Sequence, residues 1–251
     1  MEGKQQIEVC FSPAIFHLHH DPESVVVIID ILRATSAICT AFMNGVDSII
    51  PVGKIEEAKA YKEKGFMVAA ERDGLVLDFA DFGNSPFNFT VERVKGKEIV
   101  YSTTNGTQAV QMASDCHAVT VGSYLNLSAL AKYLIDTRRN VVMFCAGWKK
   151  RFSLEDTLFA GALSELLLDS GKFSTICDAT HASVDLWRTA KPDLYGYIPK
   201  MAQKNRLAKH GLDDCIEFCH TLNQTGVIPI LKNNKLVPLD TNEQTAHATN
   251  Y

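Results

Sequence analysis

The sequence predicts an α/β fold, a mostly parallel sheet covered by helices, and three observations carry that prediction. Short β-branched runs alternate with segments of helical spacing as far as about residue 170, the pattern of parallel strands joined by helical crossovers. The run Val25-Val26-Val27-Ile28-Ile29 has no polar residue at alternate positions, as expected of a central strand buried on both faces. The strongest strands also lead straight into polar clusters, and the loops at strand ends are where open α/β sheets collect ligands.

Taken in order, the strand signals are 7–11, 25–30, 48–52, 66–70, 98–102, 118–121 and 140–145. Between them, 34–44, 54–64, 104–114, 128–136 and 154–169 carry helical spacing or composition, and right-handed crossovers follow. Beyond about residue 170 the texture changes to helical patterns over 181–187, 198–210 and 213–222, then a hairpin across Asn233-Asn234. A single domain over 1–251, with a smaller C-terminal lobe from about 171–251, fits this layout. There is no internal repeat, low-complexity tract or Gly/Ser/Pro-rich linker.

Composition narrows the class of partner. The 251 residues carry 25 Lys plus Arg against 29 Asp plus Glu, a net charge of −4, and no Lys/Arg-rich run. A nucleic-acid groove or an anionic membrane needs concentrated positive charge, so neither is expected, and a small substrate is. No apolar stretch approaches the roughly 18 residues of a membrane span. Met1–Gln6 leads into a strand rather than a signal-peptide core, so a cytoplasmic location is expected. Seven cysteines, most of them in apolar runs, read as reduced, buried thiols, which fits that compartment. Cys215 and Cys219, four apart with no second pair, read as packing rather than zinc ligands. A homodimer is left open.

Three strand ends gather the chemistry. The first is Asp30-Ile-Leu-Arg-Ala-Thr-Ser, where Asp30 ends an apolar strand and is either delivered to a crevice or paired with Arg33. The second is Ser102-Thr103-Thr104-Asn105-Gly106-Thr107, four hydroxyl residues and a tight-turning Asn-Gly before a helix. Its N–H groups and helix dipole suit a phosphate, while an ordinary N-cap explains the same residues. The third places Glu155 and Asp156 after Ser153 at a helix start, where capping and the dipole account for acids without chemistry. Acids at two strand ends converging on a phosphate cradle suit Mg²⁺, a hard cation held by one or two carboxylates plus substrate oxygens. Arg72 reads as a bidentate grip on an anion or as a surface arginine. Asn84 and Ser85 read as donors at the crevice, or as a turn and cap before Pro86.

Other templates compete less well. Cys145-Ala-Gly-Trp-Lys-Lys-Arg151 has the Cys-x5-Arg spacing of cysteine-dependent phosphatases, in which Cys attacks phosphorus, but Phe152 replaces the usual Ser/Thr after the Arg. The nucleotide-loop, zincin and nucleophile-elbow motifs are absent. His17, His19 and His20 can ligate a metal, yet the adjacent Asp21-Pro22 favours a solvated loop. Trp187-Arg188 and Tyr195–Tyr197 read as packing.

The segments Asp30-Ile-Leu-Arg-Ala-Thr-Ser, Glu71-Arg72, Gly83-Asn-Ser-Pro, Ser102-Thr-Thr-Asn-Gly-Thr and Phe152-Ser-Leu-Glu-Asp, in that order, resemble the 2-phosphosulfolactate phosphatase (ComB) family. The resemblance continues through Asn205-Arg206-Leu207, 214–219 and Val237-Pro238. It implies a three-layer α/β/α fold and a Mg²⁺-dependent phosphatase that hydrolyses 2-phospho-3-sulfolactate, a step associated with coenzyme M synthesis. Another phosphorylated hydroxy acid is the alternative substrate, and a non-catalytic binding protein for such a metabolite is the alternative class. On this reading Asp30, Glu155 and Asp156 hold the metal, and Asp30, Arg33 and Asp156 are catalytic. Ser102 to Thr107 bind the phosphate, while Arg72, Asn84 and Ser85 orient the sulfonate or carboxylate.

Overall fold

The computed structural model describes residues 3–240; the outer parts of the expected 1–251 domain, 1–2 and 241–251, lie outside the described residues. The chain runs β1 (Gln5–Cys10), β2 (Val25–Ile29), α1 (Ala34–Met43), β3 (Ser48–Pro51), α2 (Ile55–Glu63), β4 (Met67–Arg72), β5 (Leu75–Val76), α3 (Val91–Val94), β6 (Glu98–Ser102) and α4 (Gly106–Met112). It continues β7 (Ala118–Gly122), α5 (Leu127–Thr137), β8 (Val141–Cys145), α6 (Leu154–Asp169), β9 (Phe173–Ser174), α7 (Asp178–Ala190), α8 (Leu194–Tyr197), α9 (Ala202–Ala208), α10 (Ile216–Cys219), β10 (Pro229–Lys232) and β11 (Lys235–Pro238).

All seven expected strands form. β5 and β9, two residues each, are too short to leave a period-2 pattern. The expected 198–210 helix breaks at Met201, whose extended backbone (φ −77°, ψ 123°) separates the 3₁₀ turn Ile198–Lys200 from α9. The 213–222 helix shrinks to α10, because residues 213–215 form the turn that leads into it.

One sheet has the order β5-β4-β6-β3-β11-β10-β7-β2-β8-β1-β9. It consists of two parallel blocks, β4-β6-β3 and β7-β2-β8-β1-β9, zipped together by the antiparallel β10–β11 hairpin. The hairpin turns on Asn233 and Asn234, at φ 49° and 62°. Asparagine tolerates the left-handed region that a two-residue hairpin loop demands at both positions. The segment after 170 therefore supplies the middle of the sheet as well as its β9 edge.

Alternation along the strands separates three layers. Val25, Val27 and Ile29 of β2 pack with Leu130, Leu134, Phe159 and Leu163 of α5 and α6, while Val26 and Ile28 pack with Ala109 and Val110 of α4. In the other block Ile49, Ile99 and Tyr101 face Ile38 and Phe42 of α1, while Ile50, Val68 and Val100 face Ala58 of α2. Each large aliphatic or aromatic side chain buried this way contributes about 1.5–3 kcal/mol. At Gly161 of α6 an added Cβ would fall 2.0 Å from the Ser183 carbonyl oxygen of α7, so that glycine sets the helix–helix approach.

The hairpin also explains how distant strand ends meet. Three successive antiparallel pairings reverse β3 relative to β7, which in a flat sheet would put the carboxyl ends of the two blocks on opposite edges. Five inter-strand steps separate β2 from β6, and twist of roughly 20–25° per step accumulates to about 100–125° between them. The carboxyl ends of β2, β4, β6 and β8 converge as a result.

Candidate active site

Asp30 is the first residue beyond β2, and its backbone is locked into the turn before α1. Its N–H donates to Thr35 Oγ1 at 3.2 Å, and the Thr35 N–H returns to the Asp30 carbonyl at 2.9 Å. The carboxylate is buried and faces the N–H groups of Ala34 and Gly106. Burial, reinforced by the charges of Glu71 and Glu155, pushes its pKa up to about 7, and those N–H groups only partly offset the rise. Gly106 permits this approach, since a Cβ there would lie 3.0 Å from Asp30 Oδ2.

The buried Arg33 guanidinium crosses the crevice. Nη2 donates to Asn84 Oδ1 at 2.8 Å and to the Gly74 carbonyl at 3.4 Å, and Nη1 to the Leu212 carbonyl at 3.4 Å. Behind it, Cys215 is held down to about 7 by its hydrogen bond with Cys219 and, in smaller measure, by the Arg33 charge.

Glu71, at the end of β4, is buried and ties two loops together. It accepts the Thr104 N–H at 2.7 Å, the Thr104 hydroxyl at 3.1 Å and the Gly74 N–H at 2.6 Å. Arg72 is occupied by protein oxygens: the Glu71 carbonyl at 2.6 Å, Ser102 Oγ at 2.9 Å and the Gly53 carbonyl at 3.2 Å. Thr103 and Thr107 close a reciprocal set of bonds across the start of α4.

Beyond β8 the chain makes a tight turn in which Trp148 and Arg151 pair, with Lys149 and Lys150 at φ 50° and 63°. Non-glycine residues rarely adopt that backbone, and two in succession persist only where surroundings impose it. Here Lys149 N–H donates to Asn105 Oδ1 at 3.2 Å, and its Nζ pairs with Asp73 at 2.8 Å, which fastens this turn to the two opposing loops. Asp156, in the first turn of α6, accepts the Ile31 N–H at 2.9 Å and the Gly147 N–H at 3.1 Å, bracing the ends of β2 and β8. Burial raises its pKa well above the ordinary Asp value, with Glu155 and Asp30 adding to the rise; burial also raises Glu155, offset in part by its own backbone N–H and the Ser153 hydroxyl and, in smaller measure, by Arg206.

A narrow crevice opens on Asp30, Arg33, Glu71, Asn84, Asn105 and, from the far side, Trp148, Gln203 and Leu207. The candidate residues thus divide. Asp30, Arg33, Asn84 and Asn105 line the crevice and Gly106 touches Asp30, while Arg72, Ser102, Thr103, Thr104, Thr107 and Asp156 bond within the protein around it. Glu155 lines the adjoining cleft with Arg206, and the Ser85 hydroxyl is buried against Cys215. Glu71 and the α9 wall carry more of the site than isolated residues foretell. Arg206 stacks over Trp148 at 4.7 Å and donates to Gln203 Oε1 at 2.5 Å. The signal for that wall was the segment Asn205-Arg206-Leu207.

The thiol alternative fares poorly. Cys145 is wholly buried in the core cluster, and burial pushes its thiol pKa well up, with Asp156 the next contributor; an inert buried thiol is no nucleophile. Arg151 lies exposed in the turn, so the pair is not assembled as a phosphate-binding loop.

The donor set suits a hard cation. Asp30, Glu71, Glu155 and Asp156 are four buried carboxylates, against a single buried guanidinium, Arg33, and like charges confined at low dielectric are costly until neutralised. No three of these acids bring ligand oxygens within 4.8 Å of one another. Mg²⁺ needs only one or two carboxylates, completed by water and substrate oxygens.

Fold and crevice together are those of an α/β enzyme with an acid-lined, arginine-bearing site at strand ends. The chain belongs to the 2-phosphosulpholactate phosphatase family, whose model matches residues 10–234, and the class is therefore phosphatase, a phosphoric monoester hydrolase. Similar proteins include one from Caldanaerobacter subterraneus subsp. tengcongensis, 38% identical over 84% of this chain and 89% of its own length. One from Thermotoga maritima is 36% identical over 84% and 90%, and one from Carboxydothermus hydrogenoformans is 34% identical over 89% and 92%. Each is described as a probable 2-phosphosulfolactate phosphatase.

Proposed function

We propose that the protein hydrolyses 2-phospho-3-sulfolactate, or a closely related phosphorylated hydroxy acid, to the free hydroxy acid and phosphate. The observation that carries this reading is the buried Asp30 carboxylate set beside Glu71 and Glu155, with Arg33 crossing the same crevice. The family supports it. Acting on sulfolactate phosphate would put the step in coenzyme M synthesis. No helix among the described residues is long and apolar enough to cross a membrane; we place the protein in the cytoplasm, in keeping with seven cysteines that are all free thiols.

Asp30 with Glu155 would hold Mg²⁺, which when bound offsets the charge of both the acids and the phosphate. Arg33 binds the phosphoryl oxygens, a task for which a planar fork is suited. Asn84, already fixed by Arg33, orients the carboxylate or sulfonate end of the substrate. Asp30 is the reacting carboxylate and accepts the proton of the attacking water. The water oxygen bonds to phosphorus as the ester P–O bond breaks, and the departing oxygen takes a proton from solvent to give the hydroxy acid, while Asp30 returns its own proton to solvent. Asp156, each of whose two oxygens accepts one backbone N–H, holds the ends of β2 and β8 in register for this step.

The test is phosphate release from 2-phospho-3-sulfolactate and a panel of phosphorylated hydroxy acids, after EDTA, then with Mg²⁺ restored, in wild type and Cys145→Ser. Activity lost to EDTA, regained with Mg²⁺ and indifferent to Cys145→Ser is expected. Activity that survives EDTA and disappears in Cys145→Ser overturns the metal reading, and silence across the panel favours a metabolite-binding protein.

A further inference from the structure

At the opposite edge of the sheet, three side chains of different donor type meet. The register pairs Val25 of β2 with Ala118 of β7, so the loops entering these strands run side by side. One loop contributes His20, and the other contributes Asp115 and Cys116. A His20 ring nitrogen, an Asp115 carboxylate oxygen and Cys116 Sγ all lie within 4.8 Å of one another, the single such group of three His, Cys, Asp or Glu among the described residues. From these residues the geometry points to a second metal site, one that takes a borderline-soft divalent ion of the Zn²⁺ class.

The ligands are held for the purpose. His20 Nε2 sits 2.9 and 3.0 Å from the two Asp115 oxygens. Its ring meets Phe16 edge-on at 5.8 Å, and Phe16 in turn stacks on Phe144 at 4.2 Å, which anchors the histidine on the core. The Cys116 N–H donates to the Ala113 carbonyl at 3.0 Å, which fixes the turn carrying both Asp115 and Cys116. The His20 and Asp115 side chains are 30% and 66% exposed, so they can close on an ion by about an ångström and leave water room in a fourth position. Metal–ligand distances of about 2.0–2.3 Å bring tetrahedral donors to about 3.2–3.8 Å from each other, within reach of that movement.

Donor chemistry selects the ion. A thiolate, an imidazole and a carboxylate suit Zn²⁺ and its analogues, whereas Mg²⁺ favours oxygen alone. Binding replaces the thiol proton, which leaves to solvent, with a metal–sulfur bond and displaces bound water from the ion. The ion would clamp the end of α4, whose first residue, Gly106, touches Asp30.

Co²⁺ is the probe, titrated into metal-free protein with excess Mg²⁺ present to occupy oxygen-only sites. One equivalent should give a thiolate-to-cobalt absorption band in the near ultraviolet and visible bands of four-coordinate strength. Both should vanish in Cys116→Ser and weaken at least tenfold in apparent affinity in His20→Ala, with the metal-free thermal midpoints of the variants unchanged. They should persist in Cys215→Ser, which removes the other close pair of sulfurs. Absence of a thiolate band in wild type, or a band that survives Cys116→Ser, overturns the assignment; loss in Cys215→Ser would place the ion at the buried thiol pair instead.

Discussion

The Ser102–Thr107 loop and the Asp30 end of β2 touch at Gly106, yet they are built in contrasting ways. In the loop nearly every polar group already has a partner: Ser102 takes Arg72, Thr104 takes Glu71, and Thr103 and Thr107 take each other. At the β2 end Asp30 is buried among other acids and its pKa rises to about 7. A satisfied polar network rigidifies its surroundings, while buried charge held in excess has interaction free energy left for a ligand. The hydroxyl side chains of the segment that looks like the ligand cradle in sequence are thus bonded within the protein, and the proposed chemistry lies in the acid–arginine crevice beside it.

That contrast can be broken by substitutions on either side. Among the substitutions around Asp30, Arg33→Ala should reduce kcat/KM most, by about 10²–10³-fold, the loss typical of removing one transition-state donor, and Arg33→Lys should recover little of it because a point charge does not replace a bidentate fork. Glu71→Gln should reduce turnover about tenfold and also lower stability, since it keeps an acceptor for Thr104 or Gly74 but loses charge-assisted bonds of roughly 1.5–3 kcal/mol; steady-state kinetics and urea melts read the two effects. Arg72→Ala should cost about 1–3 kcal/mol in stability through the unpaired Ser102 and carbonyl partners, with turnover of the folded enzyme within about threefold.

The smallest effect is in pH. In metal-free protein the folded state keeps the Asp30 proton up to about pH 7, whereas the unfolded chain loses it near the ordinary Asp value of about 3.9. Between those limits the folded state binds more protons, so this group's contribution is full below the unfolded pKa and is lost as pH rises through the folded one. His220 works in the other direction: burial lowers it to about 4, so its contribution is present above its unfolded pKa and lost as pH falls. Thermal melts without metal should therefore show Asp30→Asn gaining on wild type as pH rises from 5 to 8. A difference independent of pH would mean that Asp30 is ionised throughout.

The frame was legible in the sequence to an unequal degree. The unbroken apolar run of β2, the polar strand ends and the Asn233-Asn234 turn are local signals, and each became the element they imply. The position of the hairpin was not legible, because pairing β11 with β3 and β10 with β7 depends on contacts about a hundred or more residues apart. The same applies to the site. Asp30 and Arg33 stand out where a buried strand ends, but the choice between grip and brace for Arg72 depends on Ser102 and Gly53, which only the folded sheet brings near. Trp148, Gln203 and Arg206 form a wall through a cation–π stack that no spacing encodes.

The most direct test compares kcat for phosphate release in Asp30→Asn and Thr103→Val, measured side by side with saturating Mg²⁺ and substrate. The division between chemistry and frame predicts a loss of about 10²–10⁴-fold for Asp30→Asn, the range for removing a positioned proton acceptor, with Thr103→Val within about threefold of wild type. A loss of less than tenfold in Asp30→Asn, about 1.4 kcal/mol of barrier, or an equal loss in both variants, would contradict it.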